Sequence, residues 1–148
     1  MSEMFLTKLS NDDKFSYREL FKRVPGNPIL TSQDWPYAAN SVFNPAATMY
    51  NGEVLLLARV EDRRGFSHFT KAVSKNGINN WKIDTKPTLE PDPEHYPEEI
   101  WGIEDPRITW VEELNKFAIV YTSFSKGGPL VSMALTSDFE TFERLGPI

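Results

Sequence analysis

Residues 44–60, NPAATMYNGEVLLLARV, decide the fold of this chain. Two apolar runs flank Asn51-Gly52, and this dipeptide between such runs is a strong signal for a two-residue β-hairpin turn. A second hairpin is predicted within ITWVEELNKFAIVYTSF, residues 108–124, with its turn near Glu113 to Asn115. Both segments therefore predict pairs of antiparallel strands.

The two hairpins belong to units that repeat at an interval of about 61 residues. Asn44-Pro45 opens one unit, and Asp105-Pro106 opens the other 61 residues later. Trp81 and Phe142, which close the last predicted strand of each unit, are separated by the same interval. A repeat of about four short strands is typical of a β-propeller blade. Two unrelated β-meanders that share common turn residues are the alternative interpretation.

The predicted fold is therefore all-β. Residues 1–26 are expected to form an N-terminal extension with one short helix within residues 11–23, and residues 27–148 to form the first blades of a single propeller domain. Residues 86–100, rich in proline and acidic side chains, predict a long surface loop. Because a propeller needs about four blades to close, two blades indicate a fragment of a longer chain or assembly with copies of itself. We favour the fragment.

The composition is that of a cytoplasmic globular protein. With 148 residues, 40% of them hydrophobic, the chain can form one domain with a core. The absence of cysteine excludes disulfides and thiolate chemistry, and two histidines are too few for a histidine-rich metal site. A net charge of −5 argues against nucleic acid as a partner. No apolar run suggests a membrane span or a secretory signal, so we expect no membrane partner.

Two adjacent carboxylates open the second unit, in WGIEDPRITW at residues 101–110. The repeat gives Asp105 the blade position of Asn44, so both side chains should converge on one mouth of the propeller channel. Because side chains alternate along a strand, Glu104 is expected to face the other way, toward backbone or toward Arg107. An acidic turn cap with an arginine salt bridge is the alternative interpretation of these residues.

A second charged cluster ends the preceding hairpin, in ARVEDRRGFSH at residues 58–68. Arg59 ends a strongly apolar run and is expected to point toward the core or the channel. An arginine near a carboxylate and an amide makes a set suited to a polyol or a phosphate. Trp101, Trp110 and Tyr121 are candidates for faces that stack on sugar rings, or else for core positions.

Three motifs in this order resemble glycoside hydrolase family 130, the β-1,4-mannoside phosphorylases and related mannosidases. They are NPAA at 44–47, ARVEDRRGFSH at 58–68 and GIEDPRIT at 102–109. The resemblance extends from about residue 27 to the last residue. It implies a five-bladed β-propeller, of which this chain covers about two blades, with the active site in the central channel. Family members often form oligomers, so a homo-oligomer is compatible with the resemblance.

The resemblance also implies roles for four residues. Asp105 corresponds to the general acid, Asn44 and Arg59 to residues that bind the mannosyl unit, and Arg64 to a further arginine of the site. The implied reaction is inverting phosphorolysis of a β-1,4-mannoside to mannose 1-phosphate, catalysed by a glycosyltransferase-type glycoside phosphorylase. Inorganic phosphate is then a co-substrate, and no cofactor or metal is expected. The proton is implied to reach the glycosidic oxygen through a sugar hydroxyl.

The number of carboxylates that the site needs differs between hydrolysis and phosphorolysis. An inverting hydrolase needs a second carboxylate as base, whereas phosphate is already a nucleophile and needs only a basic pocket. One well-placed acid is compatible with phosphorolysis. A β-mannoside hydrolase of the same family and a non-catalytic sugar-binding propeller remain alternatives. A furanosidase-type propeller enzyme is disfavoured, because Asn44 stands where its base or nucleophile would be expected.

Overall fold

The computed structural model describes residues 21–148, which form two four-stranded antiparallel sheets. The first sheet contains β1 (Ser41–Tyr50), β2 (Glu53–Glu61), β3 (Ser67–Ser74) and β4 (Lys82–Ile83) in chain order. The second contains β5 (Ile103–Val111), β6 (Lys116–Ser125), β7 (Gly128–Thr136) and β8 (Glu143–Pro147), again in chain order. This repetition confirms the prediction of an all-β chain with two four-stranded units.

Helical structure is limited to three short 3-10 turns in the described part of the chain, at Ser32–Asp34, Pro97–Glu99 and Glu112–Leu114. The predicted N-terminal helix falls mostly on residues 11–20, which lie outside the described residues, and residues 21–23 are not helical. None of the helical segments within residues 21–148 has the length and apolar character needed to cross a membrane.

The hairpin turns follow the predicted residues. Asn51 and Gly52 both have positive φ, 50° and 78°, as a type I′ turn requires, and Tyr50 pairs with Glu53 on either side. In the second sheet the 3-10 turn after β5 ends at Asn115, whose φ is also 50°. Asparagine tolerates this left-handed conformation better than most residues.

The core lies between the two sheets. Phe69 of the first sheet packs edge-on against Tyr121 of the second, with ring centroids 5.9 Å apart. Apolar side chains of both sheets and of the segments that join their strands complete this buried cluster: Ala46, Leu55, Leu57, Leu89, Ile103, Phe117, Ile119, Ala134 and Phe139. Burial of this apolar surface holds the two sheets face to face. It also places the first strands of the two sheets, β1 and β5, in contact.

The segment at residues 86–100 is more than a surface loop, so that prediction is wrong in part. Leu89 is buried and forms a β-bridge with Phe69. Glu99 is fully buried, in spite of its charge. The segment follows the surface between these two points but is fixed to the sheets at both of them.

A polar network explains why Glu99 can be buried. Its Oε1 accepts a hydrogen bond from the hydroxyl of Tyr121 at 2.7 Å, and its Oε2 accepts one from the backbone N–H of Asp92 at 2.9 Å. Arg144 of β8 forms an ion pair with the same carboxylate. A buried charge is stable only when it is paired and hydrogen-bonded in this way. The network ties the segment before β5 to the second sheet.

Candidate functional site

The same irregularity begins both units. Asn44 and Asp105 have left-handed φ values of 44° and 51°, and each precedes a proline. The pairing register shifts there in both sheets, between Phe43 and Ala46 and between Glu104 and Arg107. A bulge of this kind bends the strand and redirects its side chains. Asparagine and aspartate are the non-glycine residues that accept this conformation most readily.

These two bulges bring three of the predicted site residues together. Oδ1 of Asp105 accepts a hydrogen bond from Nδ2 of Asn44 at 3.0 Å and another from Nη1 of Arg59, also at 3.0 Å. Arg59 lies on β2, next to β1, and its partner Phe43 in the pairing register is the residue before Asn44. Within the described residues both bonds fall on Oδ1, which leaves Oδ2 of Asp105 available to a ligand. The side chain of Asp105 is 37% exposed.

The expected orientation of Glu104 is wrong. Its Oε1 lies 2.8 Å from Nη2 of Arg59, so Glu104 and Asp105 bind the same guanidinium. The alternation argument fails because the left-handed residue in the bulge breaks the two-residue period of the strand. Arg107, the partner suggested for Glu104, instead donates to the carbonyl oxygen of Pro106 at 2.8 Å.

Four side chains hold the guanidinium of Arg59 in place. Its Nε donates to Oγ of Ser67 at 2.9 Å, and its guanidinium carbon lies 4.5 Å from the ring centroid of Phe43. Together with the two carboxylates, these contacts orient a side chain that is only 13% exposed. A guanidinium has five N–H groups, and three are used, which leaves one on each terminal nitrogen. Ser67 belongs to the motif at residues 58–68, but its contact with Arg59 and that of Phe43 depend on the pairing of β2 with its neighbours, which a single sequence does not show.

Gly102, which precedes β5, lies against the backbone of Ser67 next to the site. It forms a parallel β-bridge with Ser67 and has a φ of +115°, which L side chains rarely adopt. A Cβ atom at this position would lie 2.6 Å from the backbone nitrogen of Ser67 and 2.8 Å from its oxygen. Only glycine therefore permits this approach of the two sheets. The glycine of the GIEDPR motif was the available signal.

The electrostatics of the cluster favour an ionised Asp105. Partial burial raises the pKa of its carboxyl, but the hydrogen bonds from Asn44 and Arg59 and the charges of Arg59 and Arg107 outweigh it. The pKa is therefore held below its ordinary value. A ligand that brings negative charge to Oδ2 would oppose this effect and favour the protonated form.

Arg64, the fourth predicted site residue, lies apart from this cluster. It forms an ion pair with Asp62 at 2.7 Å, and its side chain is 75% exposed. Both residues line a cleft of about 470 Å³ that also includes Phe66, His68 and Tyr37. Ser67 and Gly102 line this cleft too, and Oγ of Ser67 accepts the hydrogen bond from Nε of Arg59, so the cleft adjoins the cluster through Ser67.

The aromatic candidates differ in their surroundings. Tyr121 is buried at 2% exposure, so it is a core residue. Trp101 and Trp110 are exposed at 39% and 46%, and they pack edge-on against Phe124 and Phe117. In residues 21–148, no group of three or more His, Asp or Glu side chains is arranged to hold a metal ion.

The arrangement combines one carboxylate with a free oxygen, an amide, and an arginine with free N–H groups. Such donors and acceptors match the hydroxyl groups of a sugar or the oxygens of a phosphate. Comparison with known proteins leads in the same direction. A family model described as beta-1,4-mannooligosaccharide phosphorylase, for glycoside hydrolase family 130, matches residues 12–148.

Individual relatives agree with the family model. A beta-1,2-mannobiose phosphorylase of Thermoanaerobacter sp. (strain X514) is 35% identical over 117 residues, which are 69% of this chain and 36% of that protein. A second relative is a solved structure that is 27% identical. Its description states that the GH130 family of mannoside phosphorylases contains glycoside hydrolases that target beta-1,2 mannosidic linkages in Candida mannan. It has a TM-score of 0.74, with 89% of this chain and 43% of that chain covered.

A glycosyl hydrolase from Bacteroides ovatus is similar in structure as well. It is 25% identical, with a TM-score of 0.74, and the match covers 93% of this chain and 43% of that one. The chain thus spans less than half the length of each of these three relatives.

Proposed function

Because the chain belongs to glycoside hydrolase family 130, we propose that it is the N-terminal catalytic part of a mannoside phosphorylase. The observation that carries the proposal is the convergence of Asn44 and Arg59 on one oxygen of Asp105. In this proposal Asp105 is the general acid, and Asn44 and Arg59 bind the hydroxyls of the mannosyl unit. Arg64 is a further contact at the rim of the adjoining cleft.

The proposed architecture is a five-bladed propeller within one catalytic domain. The two sheets are its first two blades, and the cluster around Asp105 faces the central channel. The 61-residue repeat and the 43% coverage of the similar structures support this division. The protein is proposed to act in the cytoplasm, with a homo-oligomer as a compatible assembly.

The proposed reaction is inverting phosphorolysis. A phosphate oxygen attacks the anomeric carbon of the mannosyl unit while the bond to the glycosidic oxygen breaks. That oxygen takes a proton from Asp105, directly or through a sugar hydroxyl. The products are mannose 1-phosphate and the released sugar, and no cofactor is needed. We give the substrate as a β-mannoside without a fixed linkage. The description of the family names the β-1,4 linkage, whereas the name of the Thermoanaerobacter relative contains the β-1,2 linkage.

Hydrolysis is the second candidate, since one similar structure belongs to a study of glycoside hydrolases in this family. An inverting hydrolase needs a carboxylate base about 6.5–9.5 Å from the acid, across the sugar, to activate water. Glu104 does not suit this role, because it binds the same guanidinium as Asp105 and so lies on the same side. Glu104 is therefore not assigned as the base of a hydrolase in this proposal.

The test is an assay of the complete gene product with β-1,2-mannobiose and with β-1,4-mannobiose, each with and without phosphate. We expect mannose 1-phosphate from one of the two substrates, and only when phosphate is present. Free mannose in both conditions would identify a hydrolase. No product from either substrate would leave a sugar-binding protein without turnover.

A variant separates catalysis from folding in the same assay. Asp105→Asn keeps the size of the side chain and its acceptor oxygen but cannot donate a carboxyl proton. We expect near-complete loss of phosphorolysis with an unchanged circular dichroism spectrum and melting temperature within a few degrees of the wild type. Retained turnover would remove Asp105 from the role of general acid.

A further inference from the structure

We propose that Glu104 sets the acidity of Asp105 through the guanidinium of Arg59 that both carboxylates bind. Nη1 of Arg59 lies 3.0 Å from Asp105, and Nη2 lies 2.8 Å from Glu104. The three side chains are 37%, 24% and 13% exposed for Asp105, Glu104 and Arg59, so water screens the cluster only in part. One cation is therefore shared between two anions.

The charges around Asp105 are few in the part of the chain that the structure describes. β2 contributes the cation of Arg59, and β5 contributes Glu104 and Arg107 on either side of the bulge. β1 contributes only the neutral amide of Asn44. β6 faces Glu104 with Thr122 in the pairing register, which carries no charge. Within the described residues, Glu104 is thus the one carboxylate that shares the guanidinium of Arg59 with Asp105.

The position of Arg59 does not depend on Glu104 alone. The hydrogen bond from Nε to Ser67 and the ring of Phe43 hold the guanidinium when one carboxylate is removed. Loss of the charge of Glu104 would therefore leave the cation beside Asp105 without a second anion to share it. This favours the ionised form of Asp105 and lowers its pKa.

The direction in which the pKa of Asp105 changes determines the effect on catalysis. A general acid must be protonated, so the rate falls as the pH rises through its pKa. The pKa of Asp105 is already lowered, and in this proposal the charge of Glu104 keeps it from falling further. Glu104 is thus a positioning and tuning residue that acts through Arg59. The inference rests on the proposed role of Asp105 as general acid, but the acidity itself can be measured without turnover.

Two variants and one control test this inference in the complete gene product. Glu104→Gln removes the charge and keeps the size, whereas Glu104→Asp keeps the charge. Glu61→Gln is the control, since Glu61 ends the same strand as Arg59 but binds the side chain of Asn40 at 2.7 Å. It makes the same change in net charge without touching the guanidinium.

The first measurement is the pKa of the Asp105 carboxyl by NMR on protein labelled with 13C-aspartate, assigned by loss of the signal in Asp105→Asn. We expect Glu104→Gln to lower this pKa by about one unit, with Glu104→Asp and Glu61→Gln close to the wild type. An unchanged pKa in Glu104→Gln would overturn the inference, whatever the activity of the protein.

The second measurement is the pH dependence of kcat/KM with the mannobiose that the assay identifies. We expect the basic limb to move down by about one pH unit in Glu104→Gln only, which is a tenfold loss above the limb. An unmoved limb with a raised KM would overturn the catalytic consequence and leave Glu104 as a binding contact. If the NMR shift occurs but the wild type shows no turnover, the acidity inference stands and the proposed function fails.

Discussion

The side-chain amide of Asn44 donates a hydrogen bond to Oδ1 of Asp105 across 3.0 Å, although 61 residues separate them in sequence. Both residues have left-handed φ, and each lies with the proline that follows it inside the register shift at the start of a sheet. The contact is thus a product of the repeat. Two copies of one bulge, placed side by side by packing of β1 against β5, aim one amide and one carboxyl at the same point.

A pair of substitutions separates the two roles of Asn44. Asn44→Gly keeps the left-handed backbone accessible but removes the amide, whereas Asn44→Ala removes the amide and strains the backbone by about 1–2 kcal/mol. We expect both variants to lower kcat/KM about tenfold through loss of one hydrogen bond. Asn44→Ala should lower the free energy of unfolding, measured in urea, by more than Asn44→Gly does, because only the alanine variant strains the backbone. Equal stability of the two would contradict a backbone role for Asn44.

Sequence reasoning reached the fold through local signals. The Asn51-Gly52 turn and the 61-residue interval depend on residues close in sequence or on repetition, and both are visible in one chain. The same reasoning failed at Glu104, because strict alternation assumes a regular strand and the left-handed Asp105 interrupts it. Side-chain direction at a bulge depends on the backbone conformation of one residue, which composition does not reveal.

The buried Glu99 illustrates a second limit. In the sequence it is one of several acids in a proline-rich segment, with every local mark of a surface residue. Its partners, Tyr121 and Arg144, lie 22 and 45 residues away. Only tertiary packing brings them together, so no local pattern predicts the burial.

Gly102 offers a test of the contact behind the site. Gly102→Ala places a Cβ atom within 3 Å of the backbone of Ser67, and backbone cannot move aside as a flexible side chain can. Gly128→Ala is the matched control, because its φ of +96° is equally unsuited to alanine but no atom lies within 4 Å of the added Cβ. We expect the control to lose about 1–3 kcal/mol of stability from strain alone.

The loss for Gly102→Ala should exceed that of its control, measured as the free energy of unfolding in urea. The variant should also lower kcat/KM more than its control does, since displacement of Ser67 removes the hydrogen bond that orients Arg59. If the two variants lose the same stability and the same kcat/KM, the close contact of Gly102 with Ser67 has no consequence for the site.

The network of Glu99 predicts two unequal losses. Tyr121→Phe removes one donor from a fully buried carboxylate and should lower the free energy of unfolding by about 1–3 kcal/mol. Arg144→Met removes the paired charge and should lower it by about 3–5 kcal/mol. The control is Tyr50→Phe, which changes a tyrosine packed against the same core without touching Glu99. An Arg144→Met variant no less stable than Tyr50→Phe would mean that the ion pair with Arg144 does not stabilise the buried Glu99.

His68 predicts a dependence of stability on pH. Burial lowers the pKa of its imidazole below the ordinary value of 6.5, against the opposing charges of Glu90 and Asp62. The neutral ring suits its contact with the hydroxyl of Tyr37, 2.9 Å from Nε2. Below pH 6.5 the unfolded chain therefore takes up a proton at this residue that the folded protein does not. The contribution is fully present above pH 6.5 and is lost as the pH falls.

The measurement is urea unfolding at pH 7.5 and pH 5.5. Between these values His68 should account for up to about 1.4 kcal/mol of lost stability, because one pH unit below an unfolded pKa of 6.5 corresponds to that amount. We expect His68→Gln to lose less stability over this interval than the wild type, even if it is less stable at pH 7.5. His95→Gln, which changes a histidine with a 70% exposed side chain, is the control and should follow the wild type. The same loss in all three proteins would mean that the fold accepts a proton on His68, and the acid sensitivity would then belong to the carboxylates.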